Sequence, residues 1–313
     1  MLSAKLTAKD IQCLRAVAKT APARVSALAL AIQARPSNVS RTVRSLEERG
    51  FLMTEKHGLA KRVSLSNAKH ASLWRTLVLE FGHMPLEELL AGTAMDVLSA
   101  LSCLKLTSRR EIAHFIIASE ASVAKVLERL KEVGIIQKTA SGYIVSPRFQ
   151  TLQNFVREYR HSLNEKLAMQ FAPDARILWE CNTEFLIETK SPRIASGFRL
   201  TGVSVFGKFG VPFFLQTSYV FYSPLPLTTR ELEEAILHSL LVPDGSVLPT
   251  LLVWKKWEKT IDRSYVEHES ALYGIEDRVK KIIAYFAHEG KERPQGFPPW
   301  HEFAQRAHEY GIL

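Results

Sequence analysis

The chain has 313 residues, 46% of them hydrophobic and 23% charged, and a formal net charge of +9. That length accommodates two or three domains of ordinary globular composition. It contains no run of 18 uninterrupted apolar residues, and Met1 to Asp10 has no apolar signal-peptide core. A membrane-spanning helix and a secretory leader are therefore not expected, and the expected location is cytoplasmic. Cys13, Cys103 and Cys181 are too far apart to offer a metal-ligand spacing.

The charge is concentrated. Up to residue 70 the chain carries 13 lysines and arginines against 4 acidic residues, so this segment holds essentially the whole excess. Such asymmetry points to a polyanionic partner, nucleic acid ahead of an anionic membrane.

Residues 7–19 predict a helix with Ile11, Leu14, Val17 and Ala18 on one face and Thr7 as N-cap. An apolar stretch from Val25 to Ile32 supplies a second helix. A third is expected from Pro36, suited to a first turn, to Arg49, with Gly50 as a left-handed C-cap. At 100° per residue, Val39, Val43 and Leu46 share one side of it. Ser37, Ser40, Arg41 and Arg44 occupy the other, with Asn38 beside them. Arginine can read guanine in the major groove, and short polar side chains reach phosphates or base edges. Phe51–Thr54 and Arg62–Leu65 predict two strands of a hairpin with Gly58 at its tip and Lys56, Lys61 and Arg62 on its arms. A basic hairpin in this position is a wing, expected along the phosphates or in the minor groove.

The segment Val39-Ser40-Arg41-Thr42-Val43-Arg44-Ser45-Leu46-Glu47-Glu48-Arg49-Gly50-Phe51-Leu52 resembles the recognition helix and following strand of MarR- and ArsR-type regulators. The resemblance covers the first quarter of the chain and implies a winged helix-turn-helix that binds duplex DNA.

The same pattern returns 84 residues later. Val39, Val43, Leu46 and Gly50 match Val123, Leu127, Leu130 and Gly134, and Phe51-Leu52 matches Ile135-Ile136. Met95–Leu104 and Ser108–Ile117 supply the preceding helices, and a short wing is framed around Ser141-Gly142. This internal repeat predicts a second winged helix. Its outward face differs, because Glu128 stands where the first copy has Arg44 and the wing carries one lysine. Weaker phosphate attraction follows, leaving an auxiliary DNA contact or, preferred, a structural or dimerising module. Helices are expected at Ala68–Phe81, Leu86–Leu90 and Phe149–Phe171, whose apolar stripes fit core packing or a homodimer seam.

Beyond Pro173-Asp174 the pattern is mixed. Strands are expected at Arg176–Trp179, Glu184–Glu188, Phe213–Tyr222 and Thr250–Trp254. Helices are expected at Thr201–Gly210, Thr228–Leu241, Glu276–His288 and Pro299–Tyr310, with Thr228 and Glu231 forming a capping box. The stretch Leu200 to Val211 (Leu-Thr-Gly-Val-Ser-Val-Phe-Gly-Lys-Phe-Gly-Val), with Tyr219 and Tyr222-Ser223-Pro224, resembles the C-terminal domain of type IV antitoxins (AbiEi-like). That domain is distantly similar to the nucleotidyltransferase fold. The resemblance implies a protein that neutralises a partner toxin and autoregulates by DNA binding.

No catalytic set accompanies it. Gly202-Val203-Ser204 lacks the adjacent Gly-Ser of a nucleotidyl-transfer loop, and Asp-x-Asp, a Walker A loop, Gly-x-Ser-x-Gly and His-Glu-x-x-His are all missing, so neither an enzyme nor a metal or other cofactor is expected. Trp254-Lys255-Lys256-Trp257 alternates aromatic and basic groups, yet a buried tryptophan with solvated lysines is the simpler reading. His238 on an apolar helix reads as a core histidine. The expected architecture is α+β: a basic winged helix over 1–82, a second winged helix with a long helix over 83–172, and a mixed α/β sensor or protein-interaction domain over 173–313. The expected function is transcriptional regulation through double-stranded DNA, with an antitoxin-like interaction protein as the alternative.

Overall fold

The computed structural model describes residues 5–57, 60–103, 108–140, 142–225, 229–243 and 245–313. It is a mixed helix and sheet, α+β structure whose sheets are all antiparallel. Among the described residues no helix is long and apolar enough to cross a membrane. The chain divides into two compact units, one ending at Leu163 and one starting at Asn164.

The first unit opens with α1 (Ala8–Thr20), capped by Thr7 and Asp10 in a reciprocal capping box. Strand β1 (Ala23–Arg24), α2 (Val25–Ala31) and α3 (Pro36–Glu48) follow, then β2 (Leu52–His57) and β3 (Ala60–Leu65). The three strands form a sheet in the order β1-β3-β2. Gly58, the expected tip of the hairpin, lies outside the described residues, as does Leu59. Next come α4 (Lys69–Phe81), α5 (Leu86–Leu89), α6 (Ala94–Cys103), α7 (Arg109–Phe115) and α8 (Glu120–Glu132). The hairpin β4 (Ile136–Thr139) and β5 (Gly142–Val145) leads into α9 (Gln150–Phe171), within which the boundary between the units falls.

The internal repeat is written into the backbone hydrogen bonds. Helix α3 ends with Gly50 in the left-handed region, its N–H bonded to Glu47 and that of Phe51 to Leu46. Helix α8 ends identically 84 residues on, with Gly134 bonded to Lys131 and Ile135 to Leu130. This is the double-bond glycine C-cap that satisfies otherwise orphaned carbonyls. The preceding helices match as well. Gln33 and Ile117, again 84 residues apart, both adopt a positive φ, and Ala34 and Ala118 bond back to Ala29 and Ala113. A β-branched residue rarely enters this region, so Ile117 retains a turn geometry shared with the first copy.

An aromatic core backs the end of α3. Phe51, immediately after the α3 cap, packs edge-on against His70 of α4, 4.6 Å between ring centroids, and against Tyr159 of α9 at 4.9 Å. Trp74 and Phe155 extend this buried cluster. Burial of such aromatic area, worth about 1.5–3 kcal/mol per large side chain, makes α4 and α9 part of the first copy's support.

In the second unit the end of α9 packs on one face of a four-stranded sheet ordered β6-β7-β9-β8. The strands are β6 (Arg176–Cys181), β7 (Glu184–Thr189), β8 (Phe198–Leu200) and β9 (Ser218–Tyr222). The opposite face carries a 3₁₀ segment (Gly202–Phe209) and a helical layer, α10 (Glu231–Leu241), α11 (Leu248–Trp257), α12 (Arg263–Tyr273), α13 (Glu276–Ala287) and α14 (Trp300–Glu309).

Several local expectations are corrected here. Thr250–Trp254 is helical, the middle of α11, because the apolar run belongs to a longer segment buried among α10, α14 and the 3₁₀ segment. The strand expected from Phe213 begins only at Ser218, and Phe214, before it, is fully exposed. Helix α10 starts at Glu231 with Arg230 as N-cap and no side-chain cap. Thr228, assigned to the capping box, lies outside the described residues. Helix α12, absent from the expectations, is capped by Asp262 and closed by Gly274.

Candidate nucleic-acid interface

The exposed face of α3 is assembled by simple rules. Pro36 opens the helix, where a missing N–H removes no helical bond. Val39, Val43 and Leu46 are buried against the rest of the unit. Ser37, Asn38, Ser40, Arg41 and Arg44 are all exposed. Arg44 lies 3.8 Å from Glu48 one turn later, with both side chains largely in solvent, so this pair is a weak tether. Arg41 forms no ion pair among the described residues. Asn38 lines a concavity of about 430 Å³ with Lys9, Arg35 and Thr42. Lys9 and Arg35 thereby join the surface, although neither is on the arginine face of α3.

The hairpin adds a second cationic element. Lys56 lies directly opposite Lys61 across β2 and β3, both exposed. Like charges at paired positions destabilise a sheet, so this arrangement is unfavourable unless an anion approaches. Alternation along a strand separates Arg62 from them. Lys56 and Lys61 share the face of Leu52, Val63 and Leu65, whereas Arg62 stands on the other face between Glu55 and Arg24. Arg62 is partly buried and has a carboxylate as cross-strand neighbour. The pairing of β1 with β3 brings in Arg24, which a two-residue strand does not announce in sequence.

Not every N-terminal cation faces solvent. Arg15 makes a bidentate contact with Glu87, at 3.1 and 3.0 Å. Lys69 pairs with Glu158 at 2.6 Å. Arg49 is buried, 3.4 Å from Asp10, and also contacts Tyr159, whose hydroxyl burial pushes up to about 12. Lys5 sits 4.0 Å from Asp96, which is also paired with Arg160. These cations brace the fold, and the segment's outward charge is smaller than its count.

The corresponding surface of the second copy is nearly neutral. Ala121, Ser122, Lys125 and Glu128 are exposed on α8, and β4 contributes Gln137 and Lys138.

In the second unit, His238 is wholly buried, stacked on Phe221 with centroids 3.9 Å apart, and its Nδ1 lies 2.7 Å from Thr201 Oγ1. Burial, with Arg199 nearby, holds it neutral, its pKa well below the ordinary value. Glu184 accepts a hydrogen bond from Ser223 Oγ at 2.6 Å, and burial raises its pKa to about 7. Trp254 is buried, Trp257 Nε1 donates to the Phe209 carbonyl, and Lys256 donates to that of Gly210. These indoles and lysines are engaged in packing α11 rather than forming a stacking platform. Among the described residues no cluster of His, Cys, Asp or Glu could hold a metal ion.

Residues 195–312 match the family HVO_2833_C, C-terminal, and residues 5–67 match the family HVO_A0114. The second match spans α1 to β3 and stops just before α4. No curated protein and no solved structure matches the chain.

Proposed function

We propose that this chain is a sequence-specific regulator of transcription that binds duplex DNA. In this reading α1 to β3 is a winged helix-turn-helix, and α6 to β5 is a second copy without the charge. Helix α3 enters the major groove, with Arg41 and Arg44 toward base edges and Ser37, Asn38 and Ser40 at edges or phosphates. Lys56 and Lys61 lie on the backbone or in the minor groove, with Arg62 set behind them.

One observation carries the reading. An arginine- and hydroxyl-bearing helix face stands beside a hairpin that opposes two exposed lysines. An anion relieves that repulsion. Helices α4, α5 and α9 brace the first copy mechanically, through Arg15–Glu87, Lys69–Glu158 and the Phe51–Tyr159 contact.

The test is fluorescence anisotropy with duplexes selected from a random library by the intact chain. Arg41→Ala and Arg44→Ala each weaken the selected duplex by about 1–3 kcal/mol, the range for one lost base contact. A double variant that binds as tightly as the parent overturns the assignment of α3.

A further inference from the structure

We infer that the open edge of β8 receives an extended peptide segment of a partner protein, one carrying an acidic side chain. The sheet of the second unit has two edges, and they are treated differently. At β6 the pairing with β7 shifts register between Ile177 and Trp179, and such a bulge discourages a further strand. At β8 the register with β9 is regular, Phe198 opposite Tyr222 through Leu200 opposite Val220.

The ladder tells which backbone groups of β8 face outward. Ser223 donates to Gly197 and Thr201 donates to Tyr219, each at 3.0 Å. Alternation then turns residues 197, 199 and 201 toward β9, and residues 198 and 200 away from it. The Phe198 N–H is used by Ala195. The Phe198 carbonyl and both backbone groups of Leu200 have no partner among the described residues. They form the donor and acceptor row that strand addition uses.

A cavity of about 500 Å³ lies along this edge, within the usual range for a binding cleft. Pro192 to Ile194 wall it on one side, and Val205 and Lys208 on the other. Ile194 is fully exposed and Leu200 half exposed, which provides apolar seats for alternate side chains of an extended guest. The charges decide its chemistry. Arg199 pairs with Glu234 and Lys208 with Glu231, whereas Arg193 has no ion pair among the described residues. The cleft therefore presents one uncompensated guanidinium, complementary to a carboxylate on the guest.

The experiment screens the immobilised full chain with a library of acetylated hexapeptides in which apolar residues alternate with random ones. Selected peptides are expected to be enriched in Asp and Glu. N-methylation of one alternate set of amides should reduce binding at least tenfold, and of the other set far less. Arg193→Glu, exposed and unpaired, should keep the parent's melting temperature while switching the selection toward Lys and Arg. No enrichment, indifference to which amides are methylated, or an unchanged preference in Arg193→Glu overturns the inference. So does a chain dimer that pairs through this edge, seen as a concentration-dependent mass that added peptide does not alter.

Discussion

Replacing Glu184 by Gln isolates one buried carboxyl. Burial raises its pKa from 4.5 to about 7, against the hydrogen bond from Ser223. Below the unfolded-state value the carboxyl is protonated in both states and contributes no difference. As pH rises from about 4.5 to 7, the unfolded chain releases this proton first, so folding loses stability. The gap between 4.5 and about 7, at 1.36 kcal/mol per pH unit, gives about 3 kcal/mol, complete above pH 7. Glutamine keeps an oxygen acceptor for Ser223 and never ionises. Glu184→Gln should therefore equal the parent near pH 4 and exceed it by about 3 kcal/mol at pH 8. Urea unfolding followed by tryptophan fluorescence reads this directly, because Trp179, Trp254, Trp257 and Trp300 all lie in the second unit. A variant whose stability advantage does not grow between pH 4 and pH 8 refutes the reasoning, since the carboxyl would then be ionised in the folded protein.

Other outcomes follow from the same structure. Lys56→Gln with Lys61→Gln should lower the salt dependence of duplex binding by about two phosphate contacts, a change of about 1.8 in the log–log slope. Arg62→Gln, on the opposite face, should change that slope less than either lysine substitution. Arg49→Ala leaves Asp10 buried without its partner and should destabilise the first unit by about 3–5 kcal/mol, measured by chemical denaturation. His238 has a folded pKa below its unfolded 6.5, so it withdraws stability as pH falls below about 6.5. His238→Gln should flatten that acid limb in the same denaturation series, and an unchanged limb would count against a buried neutral histidine.

How much was legible in the sequence depends on the range of the forces involved. Helix α3, its glycine cap and the copy 84 residues later follow from local rules: a proline that tolerates a first turn, a glycine that tolerates positive φ, and apolar spacing that selects one face. The concentration of charge before residue 70 is likewise a property of the string. Its use is not. Arg15 and Arg49 turn inward because Glu87, Asp10 and Tyr159 arrive from elsewhere in the unit, and Lys69, although exposed, is engaged by Glu158. Arg62 parts from Lys56 and Lys61 because strand pairing fixes which face each side chain takes. Thr250–Trp254 is a helix because a short apolar run fits either period until its burial is known, and α11 is buried by α10, α14 and the 3₁₀ segment. The open edge of β8 is the extreme case. Three residues become an edge only when tertiary pairing places β9 on one side and no strand among the described residues on the other, and no local pattern encodes that.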